Sequence, residues 1–127
     1  MKGYLDNIEE ITLNNQYFRK VLFTGQNMQL VVMSIDPNED IGLEIHSQND
    51  QFLRVEAGEG KVIIDGQEGK IEDGSAIIIP AGAEHNIINT SPDKPLKLYT
   101  LYAPPHHKDG VIHQTKSEAL ADEEDHH

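Results

Sequence analysis

Residues 74–89 run Gly-Ser-Ala-Ile-Ile-Ile-Pro-Ala-Gly-Ala-Glu-His-Asn-Ile-Ile-Asn. A glycine turn, an apolar β run, a Pro/Gly turn and a second β run opened by His85 leave little room for a helix. The same punctuation recurs upstream. Apolar or alternating runs at 17–24, 28–35, 43–46, 51–56, 61–64, 76–79, 85–88 and 96–102 are each bounded by Gly, Pro, Asn or Asp. That spacing predicts an all-β sandwich or barrel. No helical periodicity competes within residues 17–102.

A single domain fits the 127 residues, with a barrel core over about 17–104 and a C-terminal loop and tail over 105–127. Asp6–Ile11 reads as a turn of helix. Pro104-Pro105 breaks the sheet, and 103–114 reads as a loop. Thr115–Asp125 reads as a short helix capped by Thr115 or Ser117. The runs between Tyr17 and Ile35 are apolar on both parities, which predicts strands covered on both sides, by core or by a partner copy.

Cysteine is absent, so disulfides, thiolate metal sites and thiol nucleophiles are excluded. The first ten residues carry no apolar core of a secretory signal, and no run approaches a membrane span. A cytoplasmic protein is the expectation. Twenty-two acids against ten Lys and Arg give a formal charge of −12. That field repels nucleic acid and anionic membranes and is compatible with drawing in cations.

Glu44 and His46 are two residues apart on one predicted strand, so they share a face. Leu43 and Ile45 are expected to pack on the other. A regular hairpin through 47–50 would set Gln51 directly opposite His46. His85 would arrive from a distant strand, aimed by the Pro80–Gly82 turn. Two imidazoles and a carboxylate suit a divalent metal that keeps open positions, and Gln51 adds a neutral oxygen. Such an ion polarises a substrate oxygen or acidifies bound water. Each residue taken singly reads as a hydrogen-bonded or surface group; their joint pattern points to the metal.

These residues resemble the cupin superfamily. Gly74, Pro80, Gly82, His85 and Asn89 match every fixed position of its second motif. His46 and Gly58 match the first motif, while Asn38, Glu44 and Gln51 replace its first glycine, first histidine and glutamate. The resemblance covers roughly residues 28–104. It implies a jelly-roll barrel holding Mn, Fe, Ni or Zn through Glu44, His46, Gln51 and His85, and pairing as a homodimer. The whole chain looks like small bacterial cupins labelled mannose-6-phosphate-isomerase-like. In the isomerase-type cupins Gln and Glu stand in each other's places.

A sugar phosphate needs a cationic cradle. Arg54 faces away from Gln51 by parity, and no motif places Arg19, Lys20, Lys61 or Lys97. A neutral or singly charged small oxygenated ligand therefore fits better. Tyr99 and Tyr102 fall on opposite faces of the last strand, so one of them is a candidate ligand contact. His106 and His107 read as solvated loop residues, with folding over the barrel mouth the alternative for both; one of the two could serve as a base, and His106 is the candidate ligand contact. His113 stays open between a solvated loop residue and a base, Glu84 reads as a surface glutamate with support of His85 as the alternative, and His126 and His127 receive no role. Three readings remain open from the sequence: a metalloenzyme of isomerase, lyase or dioxygenase type, a non-catalytic module that binds a sugar or small molecule, and a metal-free structural dimer in which these side chains hydrogen-bond one another.

Overall fold

The computed structural model describes residues 1–122. The mainly β expectation holds. Helix α1 (Ile8–Asn14) precedes β1 (Arg19–Thr24), β2 (Gln29–Ile35), β3 (Glu44–Ile45), β4 (Asp50–Ala57), β5 (Glu59–Ile64), β6 (Gln67–Glu72), β7 (Ala76–Ile79), β8 (Glu84–Asn89), β9 (Leu96–Ala103) and β10 (Ile112–His113), and helix α2 (Lys116–Ala121) follows. They form an antiparallel jelly roll of two sheets. One has six strands in the order β10-β1-β2-β9-β4-β7 and the other four in the order β3-β8-β5-β6.

Alternation sets the core. Val31, Met33, Ile35, Leu53, Val55, Leu96 and Leu98 point inward from the large sheet, and Val62, Ile71 and Ile87 from the small one. Part of the double-sided apolarity of β2 has its explanation within the chain, because α1 packs on the outer side of β2, β4 and β9. Lys97 fastens that helix by donating Nζ–H to the carbonyls of Leu13 and Asn15. The helix begins two residues later than expected, where Asn7 caps the Glu10 N–H.

Two strands escaped the sequence reading. β6 is polar except for Ile71, so it shows no apolar run. Its local signal is the preceding Asp65-Gly66 pair, which adopts the left-handed turn of a tight hairpin, at φ 47° and 83°. The second is β10, inside the stretch read as loop, where Ile112 and His113 pair with Lys20 and Arg19. Only two residues long, β10 owes its pairing to β1, far away in sequence. Thr115 caps α2 in a capping box with Glu118, and the expected continuation over 123–125 lies outside the described residues, as do His126 and His127.

Where β5 begins its antiparallel pairing with β8, the backbones meet closely. A Cβ at Gly60 would lie 2.2 Å from the Ile88 carbonyl oxygen. Gly60→Ala should therefore lower stability by about 1–3 kcal/mol through overpacking. Urea unfolding with an unchanged midpoint would show that the two strands separate freely.

Candidate metal centre

The small sheet supplies the first pair of donors. β3 runs against β8 with Glu44 directly opposite His85, so both side chains leave the same face. The β7–β8 turn fixes the approach of His46. Gly82 takes φ +89°, a conformation costly for any side-chain-bearing residue, and its N–H donates to the His46 carbonyl at 3.0 Å. Ala81 N–H donates to Asp50 Oδ1, tying the same turn to the start of β4. Asn89 has a different task. Its amide donates to the carbonyls of Ile35, Asp36 and Lys94, and its oxygen accepts from Ser91 N–H, so it is a backbone clamp.

The expected His46–Gln51 hairpin is not formed. β3 belongs to the small sheet and β4 to the large one, where Gln51 pairs with Ile79 and Tyr102. The short segment between them crosses the barrel edge. Gln51 still faces inward, because its register partner Tyr102 shares its face and has its ring 5.6 Å from that of His46. Leu43 and Ile45 do not pack; both are exposed.

Glu44, His46 and His85 bring ligand atoms within 4.8 Å of one another. Donors about 2.1 Å from a shared ion are at most about 4.2 Å apart, so a slight contraction closes the set around a metal. Glu44 Oε1 lies 3.5 Å from His46 Nε2, too long for a strong hydrogen bond and suitable for two ligands of one ion. His85 Nδ1 contacts the Ala83 carbonyl at 3.1 Å and must be the donor there, so Nε2 keeps its lone pair. That Nε2 has no hydrogen-bond partner, nor do both ring nitrogens of His46 or Gln51 Oε1, though all four atoms are buried. Gln51 Nε2–H donates to Thr100 Oγ1, which leaves the oxygen as the free end of the amide. Buried polar atoms are rarely left unpaired, and orphaned acceptors that flank a carboxylate fit a cation.

The electrostatics agree. Burial lowers the His85 pKa, and the neighbouring His46 charge acts in the same direction, against the Ala83 hydrogen bond and the Glu44 charge. Burial pushes the Glu44 carboxyl up, but the close approach of the His46 ring and the charges of His46, Arg19 and His85 outweigh it and hold it below the usual range. A neutral imidazole and an ionised carboxylate are the ligating forms.

A cavity of about 420 Å³ opens beside Glu44 and His46, walled by His106, His107, Phe18, Arg19 and α2. His106 and His107 are corrected from solvated loop residues to parts of this wall. The His106 ring lies 4.2 Å from His46 and stacks on Tyr102 at 5.2 Å. His107 is buried, with Nε2 3.3 Å from the Tyr102 hydroxyl. Gln29 holds this loop. Its carbonyl accepts from the backbone N–H of His106 and His107, and its amide donates to the His107 carbonyl. Sequence parity left the choice between the tyrosines open. Tyr102 is the inward one, at 1% exposure, whereas Tyr99 sits on the outer face against Phe52 and is withdrawn as a ligand contact. His113, left open by the sequence, is buried between Arg19 and Asp122. Glu84 is exposed.

A two-sheet jelly roll with converging His and Glu side chains inside its mouth defines a class of small barrel proteins. The chain matches the cupin domain family over residues 31–102 and belongs to it. It is 46% identical to the uncharacterized protein YrkC of Bacillus subtilis over 97% of its own length and 69% of that protein's. An uncharacterized protein of Acanthamoeba polyphaga mimivirus is 44% identical over 86% of this chain and 70% of its own. The crystal structure of BH2720 from Bacillus halodurans shares 47% identity and superposes with a TM-score of 0.92, covering 94% of this chain and 95% of that one. Among the described residues no helix is long and apolar enough to cross a membrane.

A depressed His85 takes up its proton later than the unfolded chain does. The unfolded state then binds more protons as pH falls through about 6.5, so stability present above that pH is lost as pH drops towards the folded pKa. Urea midpoints of the metal-free protein should fall from pH 7 to pH 5, and less steeply in His85→Gln. Equal slopes would show that His85 titrates normally.

Proposed function

We propose that this cupin is a metalloenzyme that moves a proton on a small oxygenated metabolite, in isomerase or lyase chemistry. The carrying observation is the set of buried, unpartnered acceptors on His46, His85 and Gln51 around ionised Glu44. These four residues would hold a divalent ion such as Mn, Fe, Ni or Zn. When bound, that ion supplies Lewis acidity to a substrate oxygen. His106 stands over His46 at the cavity wall, placed to take a proton from a substrate seated there. Tyr102 and His107 form an adjoining contact that can relay or return it. A literal mannose-6-phosphate isomerase reading fits the walls poorly. Lys61 is half-buried and paired with Glu68, Lys97 serves α1, Lys20 lines a different groove, and Arg54 pairs with Glu56 away from the site.

Elemental analysis should find about one metal equivalent in wild type and none in the His46→Ala/His85→Ala double variant. Solvent deuterium incorporation into a panel of small hydroxy and keto compounds, followed by NMR, reads the proton step directly. His106→Asn should slow it by about 10²- to 10⁴-fold with metal content unchanged. Metal in neither protein sinks the reading. Ligand binding without exchange leaves a binding module, and oxygen uptake by an iron-loaded protein points instead to a dioxygenase.

The same proposal includes a homodimer. Ile78, Phe52, Leu101, Leu30 and Phe23 stand in register across five strands of the large sheet, on the face away from the core, and none is buried. Contiguous apolar surface of this kind marks association sites. Sedimentation at micromolar concentration should show a dimer that Phe52→Glu converts to monomer; a monomeric wild type ends this part.

A further inference from the structure

Arg19 is the charged group on the cavity wall that a metal site alone does not explain. It leaves β1 on the inward side, pairs in register with fully buried Met33, and is itself only 7% exposed. Burying a guanidinium is costly unless an anion meets it. Among the described residues no carboxylate lies in ion-pair range of Arg19, and its Nε has no acceptor. Its polar contact is His113, whose Nδ1 lies 3.5 Å from Nη1. Asp122 accepts from His113 Nε2 at 2.9 Å, so the Nδ1 lone pair is turned to the guanidinium. With the Phe18 ring 5.1 Å from its Cζ, the group is oriented, and its charge reaches Glu44 from beyond ion-pair range without closing a salt bridge. The other cation on this wall is committed, since Lys116 Nζ lies 2.6 Å from Asp40 Oδ1.

We propose that Arg19 anchors a carboxylate of the ligand, so that the site takes a small hydroxy or keto acid. The carboxylate lies on the guanidinium and the second oxygen faces the Glu44–His46–Gln51–His85 centre. This rests on the metal-centre reading above. Arginine's planar fork suits a carboxylate. The wall offers a single guanidinium fork, which the two oxygens of one carboxylate fill, whereas a phosphate would bring further charged oxygens for which no second uncommitted side-chain cation lines the wall.

The chain has two arginines, Arg19 and Arg54, so labelling Arg with 15N at Nε gives two side-chain signals. In zinc-loaded wild type, lactate or 3-hydroxybutyrate should shift the Arg19 signal and leave that of Arg54, which lies beside Glu56, in place. The neutral counterparts 1,2-propanediol and 1,3-butanediol should leave both unchanged. Arg19→Gln should weaken hydroxy-acid binding at least tenfold with zinc content unchanged. Should that variant not fold, Arg19→Lys keeps the charge without the fork and should bind more weakly than wild type. An Arg19 signal unmoved by either acid overturns the inference, as does inorganic phosphate binding more tightly than both. Zinc analysis of the same samples separates the two failures. Stoichiometric zinc with a silent Arg19 sinks the carboxylate anchor alone, whereas absent zinc sinks the metal centre beneath it.

Discussion

The antiparallel contact between β3 and β8 is the constraint on which the rest of the site depends. It is only two residue pairs long, yet it places Glu44 across from His85. Strand pairing supplies this geometry with backbone hydrogen bonds, so the side chains remain free for a ligand. The Gly82 N–H on the His46 carbonyl then locks the third donor to the same corner. Without the left-handed glycine the turn could not present that N–H, which ties a backbone conformation to the position of an imidazole.

The remaining parts come from the other sheet. Gln51, Tyr102 and Arg19 all project from the inner face of the six-stranded sheet, while Glu44 and His85 project from the four-stranded one. The centre therefore exists only when the two sheets close on each other, and core packing and site geometry are one event. The apolar layer of Met33, Leu53, Leu98 and Ile87 holds the walls apart at the right spacing. It also dries the surroundings, which strengthens electrostatic contacts within the mouth.

The C-terminal segment completes the enclosure. After β9 the chain turns back through His106 and His107, adds β10 to the edge of β1, and lays α2 beside the cavity. Asn49 fastens the beginning of this return by donating to the Pro104 carbonyl, and Gln29 fastens its middle. His113 and Asp122 then support Arg19 from behind. A tail that looks like a polar appendage is thus one wall of the site.

The β architecture, the resemblance to cupins and the candidate metal-binding residues were all legible in the sequence. Period-two runs, turn residues and the Gly74–Asn89 spacing are local signals, and local physics was enough to read them. It also determined that Arg54 faces away from Gln51, since parity along a strand needs no partner. Which strands meet follows from the packed fold. The four residues after His46 carry chain from one sheet to the other instead of forming a hairpin, and nothing in their identity states which. Parity put Tyr99 and Tyr102 on opposite faces, but the choice of inner face belongs to the packed barrel. The places of His106, His107, His113 and Arg19 rest on contacts across tens of residues of chain. Such contacts follow from closure of the whole fold, so no local window contains them.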